Sequence, residues 1–392
     1  MAIVSRTSSL VPLLREMAAD PRIVDALVDA ARAASPEMAR LPAAENRRHI
    51  AVLFAAGLVA FERLADPSAD DFAEATRLGA DRAAQGLPLG AVLRGVQAGR
   101  TKAFEIAVER GRAVGIPDAV LLEGALEFDR YVGALERHVI DGYRATEQEL
   151  AQSRRDAGTG LLRRLLLGPG PGDVPADELA RFGLHPAGRY HCLASDVTDP
   201  DHARRLEQRW SGCGGLFGTV EGRLAGLLPR PPAAAAVDRT VLVVLAPVVP
   251  LAHVGGAYRL CVEALVAAAS FGRHGLHAVP DLAGETALAR QPRLAVLLRD
   301  ALLGGLRPAD EFHRDLASTA LAYLDHGQRL DQTALALHVH PNTVRYRLRR
   351  LQQLTGMPST PADTGERLTV LQTLRWWWAL RTWLDGSAGS GS

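Results

Sequence analysis

Between residues 338 and 356 the chain reads HVHPNTVRYRLRRLQQLTG, a run whose polar side chains suit an anionic, hydrogen-bonding surface. At ~100° per residue, Val344, Leu348, Leu351 and Leu354 fall on one side of a helix. Asn342, Arg345, Tyr346, Arg349 and Gln353 gather opposite, in an arc of roughly 100°. Pro341 suits the first helical position because it has no N–H to leave unpaired. The N–H groups of Asn342 and Thr343 are then expected to point freely out of the helix start, where a phosphate oxygen would sit. Arginine can grip guanine O6 and N7, and asparagine adenine N6 and N7; a phosphate contact is equally open to either. Arg347 differs, since it projects into the apolar arc between Leu351 and Leu354. It is expected to be structural, snorkelling or pairing with a carboxylate of a neighbouring helix. Arg350 lies on the flank and meets phosphate or solvent.

These side chains need a second element to present them. The preceding LDQTALALHV offers Asp331 as an N-cap and Ala334, Leu335 and Leu337 at packing positions, so a short helix is expected to end near His338. Two helices joined by a turn of a few residues form a helix-turn-helix, whose second helix enters the major groove while the first crosses the backbone. The expected DNA contacts are His340, Asn342, Thr343, Arg345, Tyr346, Arg349 and Arg350. His338 and His340, two apart across the turn, cannot face one metal from one helix; capping or phosphate contact is expected instead.

The segment DLASTALAYLDHGQRLDQTALALHVHPNTVRYRLRRLQQLTG resembles the C-terminal module of the PucR and CdaR family of bacterial transcriptional regulators. The hallmark of that module, a histidine followed by Asn-Thr-Val-Arg-Tyr-Arg-Leu, stands here as His340 and Asn342 to Leu348, and the likeness covers about residues 308 to 384. Generic helix-turn-helix motifs favour glycine at the turn, where this chain and its relatives do not have it; here the residue is His338. ADRAAQGLPLGAVLRGVQAGRTKAFE resembles the N-terminal sensor-like domain of actinobacterial PucR-type regulators, itself similar to the helical domain of RsbT co-antagonist proteins. Relatives often carry aromatic residues where this chain has Gly95 to Gly99, so no ligand of theirs is carried over.

Residues 1 to about 155 have the three- and four-residue apolar spacing of a helical bundle, with Leu121, Leu122, Ala125, Phe128, Val132, Leu135 and Val139 on one stripe. Helices are expected over Val11 to Ala33, Glu45 to Leu64, Asp70 to Ala84, Leu89 to Arg112 and Pro117 to about Arg154, the last long enough to act as a signalling or dimerising stalk. Helical character continues through GLLRRLLLG and breaks at PGPGDVP, residues 169 to 175. Then RYHCLASDV, CGGLFGTV, GRLAGLLP and TVLVVLAP read as strands, with His202 to Trp210 and Tyr258 to Phe271 as helices. This gives an α+β domain over about 176 to 285, followed by a helix from Thr286 to Leu303 that Gly304 and Gly305 end. In position and strand spacing it is similar to the GGDEF-like middle domain of CdaR-type regulators. No Gly-Gly-Asp/Glu-Glu-Phe occurs in the chain. The resemblance therefore implies a degenerate domain for dimerisation or regulation, without the carboxylates that hold nucleotide and metal.

A chain of 392 residues has room for two or three domains, and a hydrophobic share of 47% is ordinary for a globular protein. The net charge of +1 argues against a protein that coats nucleic acid with its whole surface, so any basic surface is local. Arginine, alanine and glycine dominate and lysine is nearly absent, as in chains from GC-rich bacterial genomes. Cys192, Cys213 and Cys261 form neither a disulfide framework nor a zinc pattern, and a reduced cytoplasm is the expected setting. Arg6, Arg15 and Glu16 interrupt any secretory apolar core, and the run Thr240 to Ala252, broken by Pro247 and Pro250, is expected to be a buried strand and not a membrane span.

Catalytic and cofactor patterns are not seen. Ser211 and Ser270 lack the GxSxG elbow, and CGGLFG has neither Lys-Ser/Thr nor dinucleotide spacing, so a strand-edge turn is expected there. His49 and His138 are lone helical histidines, read as surface or satisfied core residues over haem ligands. Trp376, Trp377, Trp378 and Trp383 share a helix with Leu368, Leu371, Leu374 and Leu380, where packing is preferred over base stacking.

The expected architecture is multidomain and mainly α. A helical sensor-like domain covers 1–155, a degenerate GGDEF-like α+β domain with linker helices 156–300, a PucR-type helix-turn-helix domain 301–385, and a tail of linker composition 386–392. The expected function is a cytoplasmic, non-enzymatic, sequence-specific transcriptional regulator. It would act as a homodimer on double-stranded DNA, answer a small-molecule or protein effector, and use no cofactor, metal or membrane. The alternatives are a divergent nucleotide cyclase in the middle domain or a signalling scaffold working through the first domain.

Overall fold

The computed structural model describes residues 10–63, 72–358 and 368–388. It is mostly helical, with a small mixed sheet in the middle of the chain, and it divides into two compact units, 1–157 and 158–392.

In the first unit α1 (Val11–Ala19), α2 (Pro21–Ala34), α3 (Pro36–Ala39), α4 (Ala43–Arg63), α5 (Ala73–Ala84), α6 (Leu89–Ala113) and α7 (Asp118–Leu167) form a bundle. The single helix expected over Val11 to Ala33 is two, because Asp20 leaves helical geometry and caps the second. Its carboxylate accepts from the Arg22 N–H at 3.0 Å and from Arg110 at 2.6 Å. The Arg22 side chain first, and Arg110 next, hold this carboxyl well below the usual carboxylate range. The expected helix ends at Leu64 and Asp70 lie outside the described residues. The bundle is held by Met17, Ile23 and Leu27 in one core and by Leu78, Val92, Leu135 and Val139 in another.

His49 and His138 both lie in this packing, though the buried His49 Nε2 has no hydrogen-bond partner. His138 stacks on Phe72 with ring centroids 4.8 Å apart. His49 is 5% exposed, with Nε2 3.4 Å from the Asp81 carboxylate. Beside it the fully buried Arg82 donates to Gln85 Oε1 at 2.7 Å and Asn46 Oδ1 at 2.9 Å, and pairs with Glu45. Burial first, then the Arg82 charge, pushes the imidazole below its ordinary 6.5; Asp81 and Glu45 pull the other way and Arg48 adds to the depression. The depressed histidine binds its proton more readily in the unfolded chain, so stability falls as pH drops from about 6.5 toward the folded pKa. Thermal melting between pH 7 and pH 5 is expected to show this loss, and His49→Gln to flatten it; an unchanged pH slope in the variant would refute the assignment.

α7 extends past the unit boundary. It is exposed all round from Glu147 to Ala157, and Leu161, Leu162, Leu165 and Leu166 then bury completely in the second unit. The second unit continues with α8 (Ala176–Arg181), β1 (Arg189–Ser195), α9 (Pro200–Trp210), β2 (Leu216–Val220), β3 (Arg223–Leu228), β4 (Leu242–Leu245), β5 (Val249–Pro250), α10 (Val254–Ser270), β6 (Gly275–Ala278) and α11 (Ala283–Ala289). The strand order is β2-β3-β1-β4-β6, with β5 added to β1; the β4–β6 pair is parallel and the other pairs among the described residues are antiparallel. The end of α7 and α10 share a core that takes in Cys192, Ala194, Leu227 and Val244, while α9 packs through Leu206 and Trp210 against Leu193, Leu224 and Val243. The run Thr240 to Ala252 is not one strand. Its ladder stops at Leu245 and the chain returns as β5, since Pro247 and Pro250 carry no N–H to continue it. β5 falls within the run expected as one strand but pairs separately, over two residues, and β6, only four residues long, was not expected from the sequence.

Among the described residues one stretch, Leu251–Ser270, is by length and composition apolar enough to cross a membrane. Half of it is buried within the protein, where Val254, Cys261, Ala264, Leu265 and Ala268 pack on the sheet. Burial pushes the Cys192 thiol up to about 12.

The unit ends in a helical head of α12 (Pro292–Leu303), α13 (Glu311–Asp325), α14 (Leu330–Ala336), α15 (Pro341–Thr355) and α16 (Val370–Ala388). The helix expected from Thr286 to Leu303 breaks at Gln291, as the residue before a proline is pushed out of helical geometry. Leu303, Leu316, Ala320, Tyr323, Val344, Leu351, Trp376 and Leu380 close around one core.

Candidate nucleic-acid interface

The two short helices expected between Asp331 and Gly356 are α14 and α15. Three local expectations about them are corrected. Arg329, not Asp331, is the N-cap residue of α14, and Asp331 lies within the first turn. Leu335 is 77% exposed instead of packed. The inward positions of this seven-residue helix belong to Thr333 and Ala334, with Val339 completing the contact after the turn. The buried Thr333 hydroxyl is satisfied by donating to the Arg329 carbonyl at 2.7 Å, a local bond that the apolar pattern does not reveal.

The turn depends on His338, whose φ of +53° is left-handed. That is the conformation glycine supplies in other helix-turn-helix units. Val339 N–H bonds to Ala334 O at 3.0 Å and closes α14. His340 is the N-cap of α15. Its Nδ1 accepts from the Asn342 N–H at 3.2 Å, and its carbonyl accepts from Thr343 at 2.9 Å. The expected pair of free N–H groups is therefore occupied: the histidine ring takes that of Asn342 in place of a phosphate oxygen, and the His340 carbonyl takes that of Thr343. Gly356, left-handed at φ +77°, ends the helix.

Along α15 the two faces separate as the spacing predicts. Val344, Leu348 and Leu351 are buried at 0%, 4% and 0% exposure, and Leu354 packs at the edge of the same core. Asn342, Tyr346, Arg349, Arg350 and Gln353 are exposed, with Thr343 and Arg345 half-buried. Arg345 donates to Asn342 Oδ1 at 2.8 Å, which joins two of the expected base readers into one unit. Arg350 donates to Gln353 at 2.9 Å.

Arg347 turns inward. Its guanidinium pairs with Asp315 and donates to Thr319 Oγ1 at 3.2 Å, both on α13, so it ties the recognition helix to the head. Arg347→Ala is expected to cost about 1–2 kcal/mol through the lost pair and lost stem packing. A head melting temperature as high as that of the native chain would show the tie to be idle.

The tryptophans pack. Trp376 and Trp383 are 3% and 4% exposed, and the Trp377 indole donates to Asp325 Oδ1 at 2.6 Å. Leu380 is buried and Leu368 half-buried, whereas Leu371 and Leu374, expected in the same packing, are 77% and 41% exposed. They lie in the first turns of α16. Among the described residues no group of three or more His, Cys, Asp or Glu is placed to hold a metal ion.

The geometry is that of a helix-turn-helix head on a mixed sheet, in a chain that begins with a helical bundle. Comparison with known proteins places both ends. Residues 316–377 match the PucR C-terminal helix-turn-helix domain, and residues 21–157 match the RsbT co-antagonist protein RsbRD N-terminal domain. The chain thus joins a PucR-type head to an RsbRD-type bundle. An uncharacterized protein of Mycobacterium tuberculosis is 46% identical over 59 residues, 15% of this chain and 14% of that one. An uncharacterized Thermomonospora curvata protein is 34% identical over 84 residues, 21% of this chain and 42% of that one. The similarity spans less than half the length of these relatives. Among solved structures, a regulator of polyketide synthase expression from Bifidobacterium adolescentis aligns at 22% identity and a TM-score of 0.28, covering 57% of this chain and 98% of that one.

Proposed function

We propose that this chain is a sequence-specific, DNA-binding transcriptional regulator. One observation carries the reading: a single face of α15 holds Asn342, Tyr346, Arg349 and Gln353 exposed and Arg345 half-buried, with Arg350 exposed on its flank, while its other face builds the core of the head. Asn342 and Arg345 read base edges, Arg349 and Arg350 hold phosphate, and Tyr346 covers a groove wall. His340 and Thr343 set the helix start against the backbone. One recognition helix reads few base pairs, so the chain acts as a two-fold dimer on paired half-sites. The bundle and the degenerate GGDEF-like middle domain receive a small-molecule or protein signal in the cytoplasm and shift the population of binding-competent heads.

The test is a gel-shift titration of the full chain on the region upstream of its own gene, at several salt concentrations. Binding that survives competitor DNA, with log affinity falling linearly against log salt, is the expected result. Equal affinity for the upstream region and for unrelated duplex would refute specific regulation.

A further inference from the structure

We propose that Phe271 is the pin of a clamp through which the sheet domain sets the rigidity of the recognition helix. Phe271 closes α10, and Gly272, at φ +66°, turns the chain away and leaves the ring at the end of that helix. The ring stacks on Trp377 of α16, centroids 5.8 Å apart and planes 19° apart. The Arg381 guanidinium, one helical turn further along α16, lies 5.1 Å from the same ring. A residue of the sheet domain thereby meets both an indole and a cation of the head.

The grip continues inward. Trp377 donates its indole N–H to Asp325, the last residue of α13. Nearer its start, the same helix presents Asp315 and Thr319, and these hold Arg347 of α15. Phe271, Trp377, Asp325, α13, Asp315 and Arg347 thus form one unbroken series of ring, hydrogen-bond and ion-pair contacts from the sheet domain to the DNA-facing helix. Trp376 and Trp383 keep α16 seated on the head core. Withdrawing Phe271 therefore frees Trp377 without dismantling the head. Phe271, Trp377 and Arg381 are all half-buried at the surface, where a small movement of α10 can engage or release them. The regulatory meaning of the clamp rests on the DNA-binding reading; its mechanical part does not.

Hydrogen–deuterium exchange on the full chain tests the mechanical part, using Phe271→Ala, Phe271→Trp and the surface change Arg381→Gln. Exchange in residues 311–325 and 341–355 is expected to quicken roughly threefold to tenfold in Phe271→Ala and less in Arg381→Gln, with Phe271→Trp near the native rate. Strands β1 and β4 should keep their protection. Native protection of 341–355 in both Phe271→Ala and Arg381→Gln overturns the clamp, as does loosening that spreads equally into the sheet in both. With the upstream duplex as probe, Phe271→Ala should weaken binding at least about threefold, because ordering of α15 is then added to the cost of binding. A loosened α15 with native affinity overturns the regulatory half. If the native chain itself fails to select that duplex, the DNA-binding reading falls while the exchange data still decide the clamp.

Discussion

Replacing Arg345 and Arg349 together by alanine is expected to lower affinity for the cognate duplex by ~2–6 kcal/mol, about 30-fold to 10⁴-fold, while leaving the fold intact. Both side chains leave α15 on the side away from Val344, Leu348 and Leu351, so their removal opens no cavity in the head. Arg345 is already oriented by Asn342 at 2.8 Å, and a fork held in place loses less side-chain entropy on meeting a base. The single variants separate the two roles. Loss of a base contact relaxes preference at one position, whereas loss of a phosphate contact weakens all sequences alike and reduces the salt slope by about one. The check is a titration on cognate and scrambled duplexes; unchanged binding by the double variant would place the interface elsewhere. The contrast with Arg347→Ala is informative, because three arginines within five residues are expected to give one structural and two binding phenotypes.

Gly79→Ala should destabilise the first unit by about 1–3 kcal/mol, opposite in sign to the usual effect of this change in a helix. At an open helical site alanine gains roughly 0.8–1.0 kcal/mol over glycine. A methyl at Gly79, however, would lie 2.0 Å from the Val139 carbonyl oxygen, and one at Gly142 would lie 2.1 Å from the Thr76 carbonyl oxygen. The two glycines face reciprocal backbones where α5 crosses α7, and a backbone atom cannot move aside as a side-chain tip can. Gly99 on α6 supplies the control, since a methyl there meets nothing within 4 Å, and Gly99→Ala should stabilise by ~0.5–1 kcal/mol. Calorimetry of the full chain should show shifts of opposite sign, and a stabilised Gly79→Ala would refute the close crossing.

The recognition helix was legible because its signal is local. Pro341, the apolar spacing of Val344, Leu348 and Leu351, and Gly356 specify start, face and end within one stretch. Arg347 was legible as structural by the same rotation, although Asp315 as its partner was not, as 32 residues separate them. Leu335 misled because its type suits a core, whereas a helix of only seven residues has room for two buried positions and gave them to Thr333 and Ala334. The occupied helix start was missed because a histidine ring folding back onto the N–H of Asn342 depends on one side-chain rotation.

Sequence by itself determined where the helices and most strands lie and which face of α15 meets the core, since periodicity and caps act between residues a few positions apart. It also marked the head and the bundle as separate pieces. Only the tertiary structure decided what touches across long separations. It brought Gly79 against Val139, added β5 and β6 to the sheet, occupied the N–H groups of Asn342 and Thr343, and set Phe271 against Trp377 and Arg381. Those contacts depend on which surfaces the folded chain brings together, and neither periodicity nor capping carries that information.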